Sequence, residues 1–250
     1  MNVQSRYKSL SVLSAVVLLS LGILSWGPKV NAAGEGKITG SVKLSGTAPR
    51  MRGIDMSKDP YCSKLQESNP AKMENVVVGS GGGLANVVLY ISEGLSGNEL
   101  NAVPSTEPTF TQKNCMYSPH VLAMDVNQKF KVTTEDQTTH NIHPMPAPGG
   151  GNIGWNKSQP PGAPPIETSW KNQEVAVTVK CNIHPWMHGW HVVVKGPYAT
   201  TDEGGNYTIN NVPPGSYTVT AWQEEYGAQT QKVTVAAGKP GTADFTFKAK

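Results

Sequence analysis

The sequence predicts an all-β protein. Short runs alternating apolar and polar residues recur after residue 35, and clusters of Gly, Pro, Asn and Asp separate them. No long stretch beyond the N-terminal segment shows the helical period. The 26 glycines and 19 prolines in 250 residues, with little charge, suit turn-rich sandwiches better than helical layers.

The chain opens differently. Arg6 and Lys8 precede an apolar run over residues 10–26, and Val30-Asn31-Ala32 is a small-residue processing pattern. Residues 1–32 are therefore expected to be a cleaved signal peptide. This implies a periplasmic or secreted protein without stable membrane insertion; the alternative is an uncleaved anchor. Cleavage leaves about 218 residues, enough for two small domains. It removes Arg6, Lys8 and Lys29 and no acid, so 21 basic residues fall to 18, equal to the 18 acidic ones. A net charge near zero excludes an electrostatic argument for nucleic acid or an acidic membrane as partner.

Strand signals follow in order. Residues 37–44 alternate, and 86–91 form a largely apolar run, as in a buried strand. One or two helical turns fit between Pro60 and Glu67. Residues 121–132 hold two segments around a turn at Asn127-Gln128. Residues 175–180 place valine at every second position and lead into Cys181. Residues 191–194, 206–209, 216–222 and 232–235 complete the set. Residues 144–165 are rich in Pro, Gly and Asn and read as a long loop with partial mobility.

Chemistry concentrates in Cys181-Asn182-Ile183-His184-Pro185-Trp186-Met187. A thiolate, an imidazole and a thioether on one short loop form a soft ligand set that suits copper. A second imidazole is needed, and His140, 41 residues upstream, is the obvious supplier. Two histidines and a cysteine with a long axial methionine make a blue-copper site, so His140, Cys181, His184 and Met187 are the expected metal ligands. Zinc-finger spacing would require a Cys-x2-Cys pair and haem attachment a Cys-x-x-Cys-His; the chain has neither. Four protein ligands leave no open position for substrate, which argues for an electron carrier and against an enzyme.

These motifs carry a resemblance. His140-Asn141-Ile142-His143, the Cys181–Met187 loop and Tyr117-Ser118-Pro119 make the region 105–196 similar to cupredoxins of the amicyanin and plastocyanin kind. The resemblance implies a Greek-key β-sandwich holding type 1 copper. One departure is that the strand before Cys181 lacks the aromatic residues usual in that family. A second resemblance lies in Asp202-Glu203-Gly204-Gly205-Asn206-Tyr207 running into Val212-Pro213-Pro214-Gly215-Ser216-Tyr217. It is similar to the carboxypeptidase regulatory-like domain, a small transthyretin-like β-sandwich, expected over 197–250. That family's opening strands match Gly36–Val42 and Ala85–Val88, far upstream. Residues 34–98 are thus expected to complete this sandwich, with the copper domain inserted between its parts. Alternatively, the upstream strands belong to a larger copper domain.

Three cysteines are an odd count for an exported chain. With Cys181 on metal, Cys62 and Cys115 remain as a disulfide pair or as two buried thiols. Asn141 either tunes the cysteine sulfur through neighbouring backbone N–H groups or is an exposed loop residue. His143 cannot easily share a metal with His140, because odd spacing on a strand points the two to opposite faces. His120, His143, His188 and His191 are either surface histidines or, for the His188-x2-His191 pair, a second metal site. Redox partner proteins are expected to dock near His184, on an apolar patch of Pro144, Pro146, Pro161, Pro164, Pro185 and Trp186. Rival functions are copper capture and delivery, favoured by surplus His and Met, and a cell-surface β-sandwich with a non-redox metal site.

Overall fold

Alternation becomes strand nearly wherever the sequence presents it. A computed structural model describes residues 36–100 and 103–250. The expected signal peptide lies outside the described residues. The chain runs through β1 (Gly36–Ser45), the short helix α1 (Pro60–Leu65) and β2 (Val88–Glu93). Next come β3 (Thr109–Lys113), β4 (Met116–Ser118), β5 (Val121–Asp125), β6 (Phe130–Thr134), β7 (His140–Met145), β8 (Lys157–Gln159), β9 (Ile166–Thr168), β10 (Glu174–Lys180) and β11 (His188–Val194). The last part holds β12 (Tyr198–Thr200), β13 (Asn206–Val212), β14 (Gly215–Gln223), β15 (Gly227–Val235), β16 (Gly241–Thr242) and β17 (Phe245–Lys248).

Pairing divides these strands into two sandwiches. In the first, β1 lies between β13 and β16 and also pairs with β17, while β2 lies between β12 and β14, with β15 beyond. The register of β1 sets Ile38 opposite Ile209 and Val42 beside Phe245. Ile38, Val42, Leu89, Ile209, Val219 and Phe247 form its core. In the second, the sheet β5-β11-β10-β7-β8 faces the sheet β4-β3-β6-β9. Phe110, Tyr117, Phe130, Trp170 and Val179 fill the space between them. The aromatic residues missing from β10 are thus supplied by β3, β4, β6 and the segment after β9.

The apolar run at 86–91 has a specific cause. Leu89 and Ile91 point into the first core, whereas Val88 belongs to a separate cluster with Val121, Ala123, Val192 and Val194. Tyr90, Trp190, Tyr198 and Trp222 flank that cluster. Strands β2 and β11 are therefore covered on both faces, and the cluster joins the two sandwiches. Full burial of each aliphatic side chain there contributes roughly 1.5–3 kcal/mol relative to exposure. The described residues accordingly form one compact unit.

Turn chemistry fixes the first sandwich. Gly205 takes φ +77°, and a Cβ there would meet Val42 O at 2.2 Å. Only glycine allows the turn to approach β1 this closely. Asp202 closes the same turn by accepting from the Asn206 backbone N–H at 2.8 Å. The Pro-rich segment expected as a long loop is partly ordered into the sheet, since β8 pairs with β7 through His140 opposite Gln159. Among the described residues no helix is long and apolar enough to cross a membrane.

Candidate metal centre

Strand β10 ends at Lys180, and the chain then closes a tight loop. The Cys181 N–H donates to Met187 O (3.1 Å) and the Met187 N–H to His184 O (2.9 Å). This holds Cys181, His184 and Met187 at one end of the second sandwich. Strand β7 pairs with β10 through His143 opposite Lys180, which brings His140 to the same end. One ligand atom each of His140, Cys181 and His184 lie within 4.8 Å of one another, and all three residues are buried. The Nδ1 atoms of His140 and His184 are 2.9 Å apart, and Cys181 Sγ is 3.9 Å from His184 Nδ1. Met187 is fully buried in the same cluster as Cys181. Two imidazoles and a thiol meeting at one buried point fit a copper ion of the His2Cys type.

Asn141 ties the two halves together. Its side-chain oxygen accepts from the Asn182 N–H (2.7 Å), the Ile183 N–H (3.3 Å) and the Cys181 thiol (3.3 Å). Its own N–H points at the sulfur (3.5 Å), as does the N–H of His184 (3.3 Å). Burial pushes the Cys181 thiol up, but hydrogen bonds from His140 and from the Asn141, His184 and Ile183 backbone outweigh it and hold the thiol below its ordinary range. The site is thus preorganised for thiolate.

Both histidines are gripped from behind by carboxylates, which sequence reasoning missed. His140 Nε2 lies 2.8 Å from Asp136 Oδ2, and Asp136 is oriented by the N–H groups of Asn114 and Cys115 at 2.8 Å each. Burial opposes a charge on His140, but Asp136 and Cys181 together hold its affinity for protons above the ordinary value. His184 Nε2 lies 3.1 Å from Asp59 Oδ2. Asp59 is the N-cap of α1, accepting from the Cys62 N–H at 2.8 Å. Burial raises the Asp59 carboxyl, and the hydrogen bonds from Cys62 and His184 more than reverse this. Such contacts fix ring orientation and tautomer in metal-binding histidines.

Cys62 and Cys115 are bonded, with Cα atoms 5.8 Å apart. The bridge lies against the site: Cys62 Sγ is 4.0 Å from His184 Nε2. The Trp186 ring sits 5.0 Å from His184 and donates to Cys115 O at 3.0 Å. His184 is only 2 % exposed. Asp59 and Cys62 cover the imidazole together with Trp186, the member of the expected apolar patch that packs on it.

The other histidines scatter. His143 is half-buried and meets Asn182 Oδ1 at 3.0 Å, away from the converging ligands. His191 is fully buried among Phe110, Phe130 and Trp170, whose indole N–H donates to it at 3.3 Å. Burial pushes its pKa down to about 3. His191 is thus neither the expected surface residue nor a partner of His188, so the alternative of a His188-x2-His191 metal site is not formed. Odd spacing along β11 sends the two rings to opposite faces. His120 is buried too, against His188 and Glu224.

Residues 187–248 match the carboxypeptidase regulatory-like domain family. The match begins at Met187, upstream of residue 197, and so takes in β11, which pairs with β10 and β5. No curated protein matches the chain. Similar solved structures include a purple cupredoxin, amicyanin variants and a copper-containing nitrite reductase. A purple cupredoxin from Nitrosopumilus maritimus is 18% identical, with 35% of this chain and all of the other covered and a TM-score of 0.30. A reduced Cu(I) form of an amicyanin variant is 15% identical, covering 42% of this chain and 98% of the other, with a TM-score of 0.32. A copper-containing nitrite reductase from Thermus scotoductus is 15% identical over 42% of this chain, with a TM-score of 0.33. The chain spans 26% of that reductase.

Proposed function

We propose that the protein is an exported one-electron carrier in which His140, Cys181, His184 and Met187 would hold a single copper ion. The observation that carries this reading is the convergence of two imidazole Nδ1 atoms and a thiol at one buried point. Bound copper supplies the Cu(II)/Cu(I) couple at that point. The chain's own residues do the rest. The backbone N–H groups of Asn141 and His184 stabilise negative charge on the sulfur, and the Asn141 side-chain oxygen holds the loop through the Asn182 and Ile183 N–H groups. Asp136 and Asp59 lock the two imidazoles. The α1 segment and the disulfide exclude water. A rigid, dry ligand set lowers the reorganisation needed when an electron arrives or leaves, and with every position filled by protein the site acts as a carrier and not as an enzyme.

Export is supported by the basic and apolar N-terminal pattern and by a disulfide that suits an oxidising compartment. Redox partners approach the end of the sandwich near His184, over Trp186 and the α1 cover. The domain reading is an insertion: residues 34–98 and 197–250 make the regulatory-like sandwich, and 105–196 the copper domain. Its support is the pairing of β1 with β13, β16 and β17 and of β2 with β12 and β14. The burial of all three ligands under a cross-linked cover weighs against copper delivery, which requires fast metal release.

The test is a visible absorption spectrum of the purified chain with one equivalent of copper. An intense thiolate-to-copper band is expected; a pale spectrum with copper bound overturns the reading.

A further inference from the structure

A second cluster of ligating groups lies at the junction of the two sandwiches. His120 stands between β4 and β5, His188 opens β11, and Glu224 sits in the turn between β14 and β15. One ligand atom from each lies within 4.8 Å of the others. His120 Nε2 makes a very close contact with Glu224 Oε1, and both side chains are nearly inaccessible, at 2 % and 4 %. The two imidazoles meet edge to face, with centroids 5.2 Å apart.

His188 and Glu224 are each held by a partner that leaves one atom free to face the centre. His188 Nδ1 donates to Trp186 O at 3.2 Å, which leaves the lone pair on Nε2. Glu224 Oε2 accepts from the Trp190 indole N–H at 2.7 Å, which leaves Oε1 toward His120. His120 Nδ1 is buried without a hydrogen-bond partner among the described residues, and the nearest carboxylate, Glu74 Oε2, is 3.7 Å away. Without an ion, the His120 Nε2–H donates to Glu224 Oε1; with the proton on Nδ1 instead, Nε2 and Oε1 both present lone pairs that a cation would bridge. Back-bonding that fixes the tautomer and aims the free donor is the pattern of metal-ligating histidines and carboxylates. A cleft of about 450 Å³, lined by Lys72, Glu74, Asn114 and His120 among others, borders the cluster on the His120 side.

We propose that His120, His188 and Glu224 form a second metal site, for a borderline divalent ion such as Zn²⁺, that clasps the two sandwiches together. Two imidazoles and one carboxylate are a donor set that zinc accepts readily, with a fourth position left to water or to Glu74. The site is independent of Cys181 and does not rest on the electron-carrier reading.

The probe is Zn²⁺ titrated by calorimetry into the tag-free full chain already loaded with copper. Wild type is expected to take up one more equivalent than Glu224→Gln, which keeps the side-chain shape and removes the charge. His188→Gln, at a half-buried position tolerant of change, provides the same reading should the first variant fold poorly. Binding at least tenfold weaker in both variants supports the site. The measured quantity is the difference between wild type and variant, so zinc entering an empty Cys181 site leaves it unchanged. Equal zinc uptake and affinity in wild type and the folded variants overturns the proposal and leaves a proton-bridged His120–Glu224 pair.

Discussion

Asp59 Oδ2 lies 3.1 Å from His184 Nε2, while the opposite nitrogen of that ring faces His140 and Cys181. A carboxylate on the back of an imidazole raises its basicity and adds negative charge near the metal, both of which favour Cu(II). Asp59→Asn keeps an N-capping oxygen for α1 and deletes the charge. Cu(II) affinity is expected to fall about 10- to 100-fold. If Cu(I) affinity is untouched, the potential rises by about 59 mV per tenfold. A competition titration and a voltammogram check it; unchanged values in both would show Asp59 to be a cap and nothing more.

Cys181→Ser removes the one free thiol among the described residues, which is buried at the ligand convergence. The thiolate band is expected to vanish while the fold persists, since the serine hydroxyl can still accept from the Asn141 and His184 N–H groups. A spectrum unchanged from wild type would refute Cys181 as a ligand.

Met187→Leu conserves volume in a fully buried position, so the cost in stability should stay below about 1.5 kcal/mol. Copper is expected to remain bound with a higher reduction potential, because a weak sulfur donor to Cu(II) is lost. Loss of copper altogether, or an unmoved potential, counts against axial ligation.

The Cys62–Cys115 bridge spans 53 residues and backs onto His184. Replacing both cysteines with serine should cost roughly 2–4 kcal/mol in denaturant unfolding. It should also speed copper loss to a chelator, because the bridge anchors the cover. Mass spectrometry of unreduced protein that finds two alkylatable thiols at these positions would defeat both expectations.

Asp125 is buried, which pushes its pKa up to about 6 despite N–H donation from Gly196 and Val126. A carboxyl with a raised folded pKa favours the native state below its unfolded value, and that advantage disappears as pH rises through about 6. Relative to Asp125→Asn, wild type should therefore lose stability between pH 4 and pH 7.5, by about 3 kcal/mol at most. Parallel urea melts at the two pH values measure the difference, and a constant gap would disprove the shift.

Much of this was legible in one dimension. Alternation at 37–44, 175–180 and 216–222 reappears in β1, β10 and β14, and the spacing of Cys181, His184 and Met187 corresponds to a closed loop beside His140. Short polar strands such as β8 and β12 left no periodic trace, because three residues complete less than two alternations. Asp59 and Asp136 were invisible for another reason. Asp59 stands 125 positions from His184, and Asp136 precedes His140 by four across the bend between β6 and β7, which only the folded chain reveals. His191 misled because its role is packing: a neutral ring among Phe110, Phe130 and Trp170 resembles an aromatic residue more than a ligand.

Strands β2 and β11 are each covered on both faces, by their own core on one side and by the Val88–Val192 cluster on the other. Neither half of the chain can therefore be excised as a free-standing module. Cutting out one would strip Val88, Val121, Val192 and Val194 of their cover and leave a sticky wall on the survivor. A ligand that tightens one sandwich raises the melting temperature of the other, so heat should see a single transition where the sequence carries two resemblances.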